Sequence, residues 1–101
     1  MQFLAVSRRR TDRFSAAQFS EVVKAEVHQA RVLYSQGFIR HIWHRRDVAG
    51  GCLLVEADSL EEAGAQLNTL PMYQSGMVEV TLIPLAPYAG FGPSDPPGLG
   101  S

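Results

Sequence analysis

Gly37-Phe38-Ile39-Arg40-His41-Ile42-Trp43-His44-Arg45 is the stretch on which the reading of this chain turns. A glycine suited to end a helix is followed at once by aromatic and aliphatic residues at strand spacing. Two imidazoles, two guanidinium groups and the chain's single tryptophan lie among them. An ordinary core strand has little use for that much polar chemistry. The strand is expected over Phe38 to about Arg45. Alternation divides it into two sets. Ile39, His41, Trp43 and Arg45 share one face, and Phe38, Arg40, Ile42 and His44 share the other.

Downstream, Asp47-Val48-Ala49-Gly50-Gly51 has turn chemistry, and Cys52 to Ala57 reads as the next strand, so the pair forms a hairpin. The turn length suggests a register that sets His41 opposite Val55, Trp43 opposite Leu53, and Arg40 opposite Glu56 as a cross-strand ion pair. Upstream, Ser15 and Gln18 have capping-box spacing, with Phe14 and Phe19 as the hydrophobic staple around them. That helix is expected from about Ala16 to about Gln36. A first strand is expected over residues 2–7. Ser59 with Glu62 opens a second helix through about Leu70, with Leu60, Ala63, Leu67 and Leu70 on one face, and Pro71 ends it. Met77 to Leu85 is the last strand.

The order is β-α-β-β-α-β, an α+β ferredoxin-like arrangement with a four-stranded antiparallel sheet. The domain is expected over residues 1–86. Residues 87–101, rich in proline and glycine, form a tail expected to be extended or disordered. Two helices cover only one sheet face, yet the strands carry apolar residues on both. The simplest cover for the second face is another subunit, so a homodimer or larger homo-oligomer is expected.

Composition narrows the function. The chain has 101 residues, 46% of them hydrophobic, and a formal net charge of −1. That length fits one domain, and that charge gives no global basic field for nucleic acid. Arg8, Arg9, Arg10 and Arg13 cluster in what reads as a solvated loop, with a phosphate-binding role as the alternative. The single cysteine, Cys52, excludes an internal disulfide and reads as a packing thiol rather than a nucleophile. No apolar run approaches the roughly 18 residues that span a bilayer, and the early arginines do not suit a signal peptide. A cytoplasmic location is the expectation. There is no zinc-type spacing or Gly-rich phosphate loop, and His41 and His44 alternate onto opposite faces. Neither metal nor cofactor is expected.

On the first helix, at about 100° per residue, Phe19, Val22, Val23, Ala30 and Leu33 share a face, and Glu26 falls in its middle. Glu21, Lys24, His28 and Arg31 lie opposite. A carboxylate on the core stripe either has a partner or lines a pocket with a raised pKa. With His41 and Trp43 turned toward the helices, a carboxylate, an imidazole and an indole would surround a cleft between helix and sheet. Glu26 is then the candidate for moving a proton, and His41 for bonding an anionic substrate or enolate oxygen. Trp43 supplies an apolar wall. The competing readings are a hydrogen-bonded core histidine and plain packing for the tryptophan.

These residues resemble the muconolactone isomerase family. The carriers are Glu26, the run Gly37-Phe38-Ile39-Arg40-His41-Ile42-Trp43, and Leu70-Pro71-Met72-Tyr73 ahead of Met77-Val78-Glu79-Val80. The likeness runs from about Ala17 to Leu85. It implies a ferredoxin-like subunit that forms a dimeric α+β barrel and converts a small lactone acid from aromatic breakdown by cofactor-free proton transfer. Glu26 and His41 would be catalytic, and Arg40, Trp43 and Tyr73 substrate-binding. The Arg8-Arg9-Arg10 segment, the residues after Trp43 and the Gly-Pro tail depart from the family pattern. Two other readings stay open. One is a cofactor-independent monooxygenase or polyketide cyclase, with a large apolar cleft and an ion-paired Glu26. The other is a non-catalytic small-ligand module with a filled cavity.

Overall fold

A computed structural model of the chain describes residues 1–91. Its elements are β1 (Gln2–Arg9), α1 (Ala16–Ser35), β2 (Ile39–His44), β3 (Gly51–Glu56), α2 (Leu60–Leu67), α3 (Pro71–Gln74) and β4 (Val78–Leu85), followed by a 3-10 turn at Ala89–Phe91. The strands form one antiparallel sheet in the order β2-β3-β1-β4. The expected α+β arrangement is therefore the one adopted. Most of the expected tail lies outside the described residues.

Local chemistry accounts for most boundaries. Ser15 accepts from the Gln18 N–H at 3.2 Å while the Gln18 side chain accepts from the Ser15 N–H at 2.7 Å. This satisfies two donors that a helix start leaves open. The Phe14 and Phe19 rings meet edge to face with centroids 6.1 Å apart. At the other end Gly37 takes φ +83°, a conformation that costs a β-carbon-bearing residue about 1 kcal/mol. At α2, Ser59 accepts from Glu62 N–H at 3.1 Å, but the Glu62 carboxylate returns to the Asp58 N–H rather than to that of Ser59.

Two boundaries differ from the sequence reading. The first strand continues to Arg9, so Arg8 and Arg9 are strand residues, not loop; Arg8 pairs with Glu79 on β4. The second helix stops at Leu67, and Pro71 opens a new short helix, its missing N–H costing nothing at a first helical position. Leu70 is nevertheless buried, whereas Leu60 is exposed.

Phe3 and Ala5 of β1, Ile39 of β2, and Leu53 and Val55 of β3 face the helices. They meet Leu33, Ala63, Leu67 and Leu70 in the main core cluster. A second cluster of Phe19, Met72, Met77 and Val78 closes the end where α3 enters β4. Tyr73 packs against both. The opposite sheet face carries Leu4, Val6, Leu54, Ile83 and Leu85 by strand register, with Ile83 and Leu85 about two-fifths exposed.

Two glycines are expected to behave oppositely on substitution. A β-carbon at Gly50 would fall on the Ser7 carbonyl oxygen, whereas one at Gly64, inside α2, would meet nothing. Gly50→Ala should destabilise by about 2 kcal/mol or more, and Gly64→Ala should stabilise by about 0.5–1 kcal/mol. Urea unfolding curves of the two variants beside the native chain check both signs.

Candidate active site

Between α1, α3 and the helix-facing side of the sheet lies a cleft of about 930 Å³. Its apolar lining includes Val27, Ala30, Ile39, Ile42, Leu53 and Leu70, and its polar lining is Ser7, Arg9, Glu26, Arg31, Tyr34, His44, Arg45 and Tyr73. Glu26 projects from the middle of α1 as the helix periodicity requires. Its Oε1 accepts the Met72 N–H at 2.8 Å. That donor is free because Met72 lies in the first turn of α3, where no preceding carbonyl can take it. Burial pushes the Glu26 pKa above its ordinary value, while the Met72 N–H and the Arg9 charge pull it back.

Tyr73 lies one residue on. Burial pushes its phenol pKa up, the Ser7 hydroxyl opposes the shift, and the Glu26 charge adds to it. The phenolic oxygen is shielded from water and makes no hydrogen bond of ordinary geometry. Ser7 itself is engaged with Gly51, accepting its N–H at 3.0 Å. Arg45 is held in place too. It clasps Asp47 through two hydrogen bonds, at 3.0 and 2.7 Å, and donates to the Ser7 carbonyl at 3.2 Å. The bond from Arg45 holds the Asp47 carboxyl down at about 2. Arg9 lies 5.1 Å from the Phe19 ring centre. Arg31, expected on the far side of α1, is exposed but at the cleft mouth. His28 is exposed as expected.

The strand β2 requires a correction. Its pairing with β3 runs Ile39 with Val55, then His41 with Leu54, Ile42 with Leu53, Trp43 with Cys52 and His44 with Gly51, the register shifting between Ile39 and His41. Arg40 is the residue absorbed by this bulge. Strict alternation therefore fails at that point. Ile39, Ile42 and His44 face the helices, while His41 and Trp43 turn to the opposite sheet face. There the two rings stack, with centroids 4.7 Å apart and planes 6° from parallel. The expected meeting of Glu26 and His41 in one cleft does not occur within the chain. Trp43 borders the cleft from its strand position, but neither Arg40 nor His41 lines it. Arg40 does not oppose Glu56, whose carboxylate instead meets the N-terminal amine at 3.5 Å. The residue missed in the sequence is His44. An unpredicted bulge moved it onto the Glu26 side, and only the paired strand could have revealed that.

Among the described residues, no group of three or more His, Cys, Asp or Glu is placed to hold a metal ion. No described helix is long and apolar enough to cross a membrane. What the cleft presents is a partly desolvated carboxylate, a buried phenol, an imidazole and guanidinium groups around an apolar floor.

A chain with this fold belongs among the ferredoxin-like α+β proteins. The family model described as muconolactone delta-isomerase matches residues 1–90, and the chain belongs to that family. Among solved structures, a muconolactone isomerase is similar with a TM-score of 0.76 and 19% identity, over 94% of this chain and 98% of that one. The 5-chloro-2-hydroxyhydroquinone dehydrochlorinase of Burkholderia phenoliruptrix, solved in complex with 2,5-dihydroxybenzoquinone, is similar with a TM-score of 0.70 and 18% identity, over 85% of this chain and 94% of that one. Both likenesses speak for the fold. No curated protein matched in a sequence comparison.

The raised Glu26 pKa gives a stability prediction. Its proton stabilises the fold fully below about pH 4.5, the ordinary value, and that contribution is lost as pH rises through the higher folded-state pKa. Glu26→Gln, uncharged at every pH and still able to accept from Met72, should therefore be more stable than the native chain at pH 7.5. The gain should vanish below about pH 4.5. Urea midpoints across that range measure it.

Proposed function

We propose that this protein moves a double bond in a small unsaturated lactone or keto acid by proton transfer through Glu26, without a cofactor. One observation carries the reading: a carboxylate in an otherwise largely apolar cleft, held by a backbone N–H and in no ion pair among the described residues. Burial raises the pKa of a carboxylate so placed, which makes it a stronger proton acceptor than an exposed one. Membership of the family supports an enzyme that converts a small molecule. Arg9 and Arg31 at the cleft favour an anionic substrate, as a lactone acid would be. The large apolar cleft bordered by Trp43 and Tyr73 fits the oxygenase or cyclase reading, the absence of an ion pair on Glu26 among the described residues weighs against it, and the open cleft weighs against a filled, non-catalytic module.

Within this reading, Glu26 and Tyr73 act inside one subunit's cleft. His41 and Trp43 belong to the outer sheet face, which a second copy covers in a homodimer or larger homo-oligomer, and Arg40 sits at the bulge. Any substrate contact from that strand then comes from His44 and the edge of Trp43.

Native protein mixed with muconolactone should shift its ultraviolet absorbance as the double bond migrates. Glu26→Gln should lower kcat at least about 100-fold, the usual weight of a positioned base. A native protein inert toward muconolactone and related butenolide acids would remove the isomerase reading. On a sizing column the native chain should elute as a dimer or larger, and Trp43→Glu should shift it toward monomer.

A further inference from the structure

Tyr73 is the polar group in the cleft that the proposed proton transfer leaves unused. Two hydroxyls stand together there. That of Ser7 is engaged with both the N–H and the carbonyl of Gly51. That of Tyr73 is buried, and although the Ser7 hydroxyl is close enough to act on it, it makes no hydrogen bond of ordinary geometry among the described residues. A buried donor without a well-formed bond is unfavourable, and native structures rarely keep one without a reason. The short helix α3 supplies the reason by geometry. Met72 gives its backbone N–H to Glu26, and the next residue carries the phenol into the lining of the same cleft. Base and donor are thus positioned by consecutive residues of one rigid turn.

We propose that Tyr73 donates its phenolic hydrogen to the substrate oxygen that becomes an oxyanion when Glu26 removes the neighbouring proton. The inference rests on the proton-transfer reading above. A C–H bond breaks, its proton passes to the Glu26 carboxylate, and the electron pair moves through the conjugated system onto the carbonyl oxygen. The electron pair then returns, and a new C–H bond forms at the other end with the proton held by Glu26. Tyr73 keeps its own proton throughout, and no co-reactant is needed. A donor shielded from water and fixed before the charge develops is the arrangement that stabilises such an intermediate most. Burial and the adjacent Glu26 charge both disfavour the phenolate, so the group stays a donor.

The probe is tetronate, a stable lactone enolate, with its methyl ether as the uncharged control. Calorimetry should give native protein at least 10-fold tighter binding of tetronate than Tyr73→Phe, while the methyl ether binds the two within about twofold. On muconolactone, Tyr73→Phe should lose about 10²–10³ in kcat with little change in KM. Its thermal midpoint should equal or exceed the native one, because no hydrogen bond of ordinary geometry is lost; a clear fall would assign the hydroxyl a structural bond to Ser7 and overturn the proposal. Equal tetronate affinity in native and variant, or no binding by the native protein, would also overturn it. Native protein inert toward muconolactone but with the tenfold tetronate difference intact would remove the reaction reading and leave the donor role standing.

Discussion

A carboxylate taken partly out of water must be met by something, and here it is met by one backbone N–H. The bond from Met72 to Glu26 joins positions 46 residues apart in the chain. It fixes α3 against α1, and with α3 come Tyr73 and the entry into β4. It also sets the chemistry. A guanidinium in its place would have held the carboxylate firmly ionised. A single amide leaves burial as the dominant influence on its proton affinity. Folding and proton affinity are coupled at this one contact.

The second constraint is the register of β2. A sheet carries one side chain up and the next down, so what enters the cleft is decided by counting. The bulge at Arg40 changes the count once, and every later side chain of the strand is then placed on the side opposite to that expected. This sends an imidazole and an indole to the outer face, where they stack on each other, and brings Ile42 and His44 beside the helices. The outer face thereby gains a flat aromatic pair beside Leu54, at the edge of the face that also carries Leu4, Val6 and Ile83, the kind of surface that association buries.

Most of the fold was legible because its signals are local. Ser15 with Gln18, Gly37, and Ser59 mark helix ends through groups a few residues apart; the first two worked as their spacing predicts, and Ser59 caps α2 although the Glu62 carboxylate bonds Asp58 instead of closing the box. Glu26 was legible for the same reason, since helix periodicity alone sets it among Phe19, Val22 and Leu33. The contents of the cleft were not. Nothing within Ile39-Arg40-His41 marks a bulge, because a bulge is a property of two strands, and the partner lies more than ten residues away in β3. The break at Asn68 was hidden differently. Leu70 continues the apolar spacing of α2 and is buried, yet it reaches the core from beyond the helix end.

A sheet ordinarily tolerates changes of length badly, because one added or lost residue reverses every side chain that follows. At Arg40 this protein has a joint that takes up such a change. A residue lost there could be absorbed by straightening the ladder, leaving Ile39, Ile42 and His44 on their present side. If the joint slid instead past Trp43, His41 and Trp43 would enter the cleft and Ile42 would leave it, with no substitution at all. The lining of this cleft can therefore evolve by displacement of an irregularity along one strand as well as by exchange of side chains.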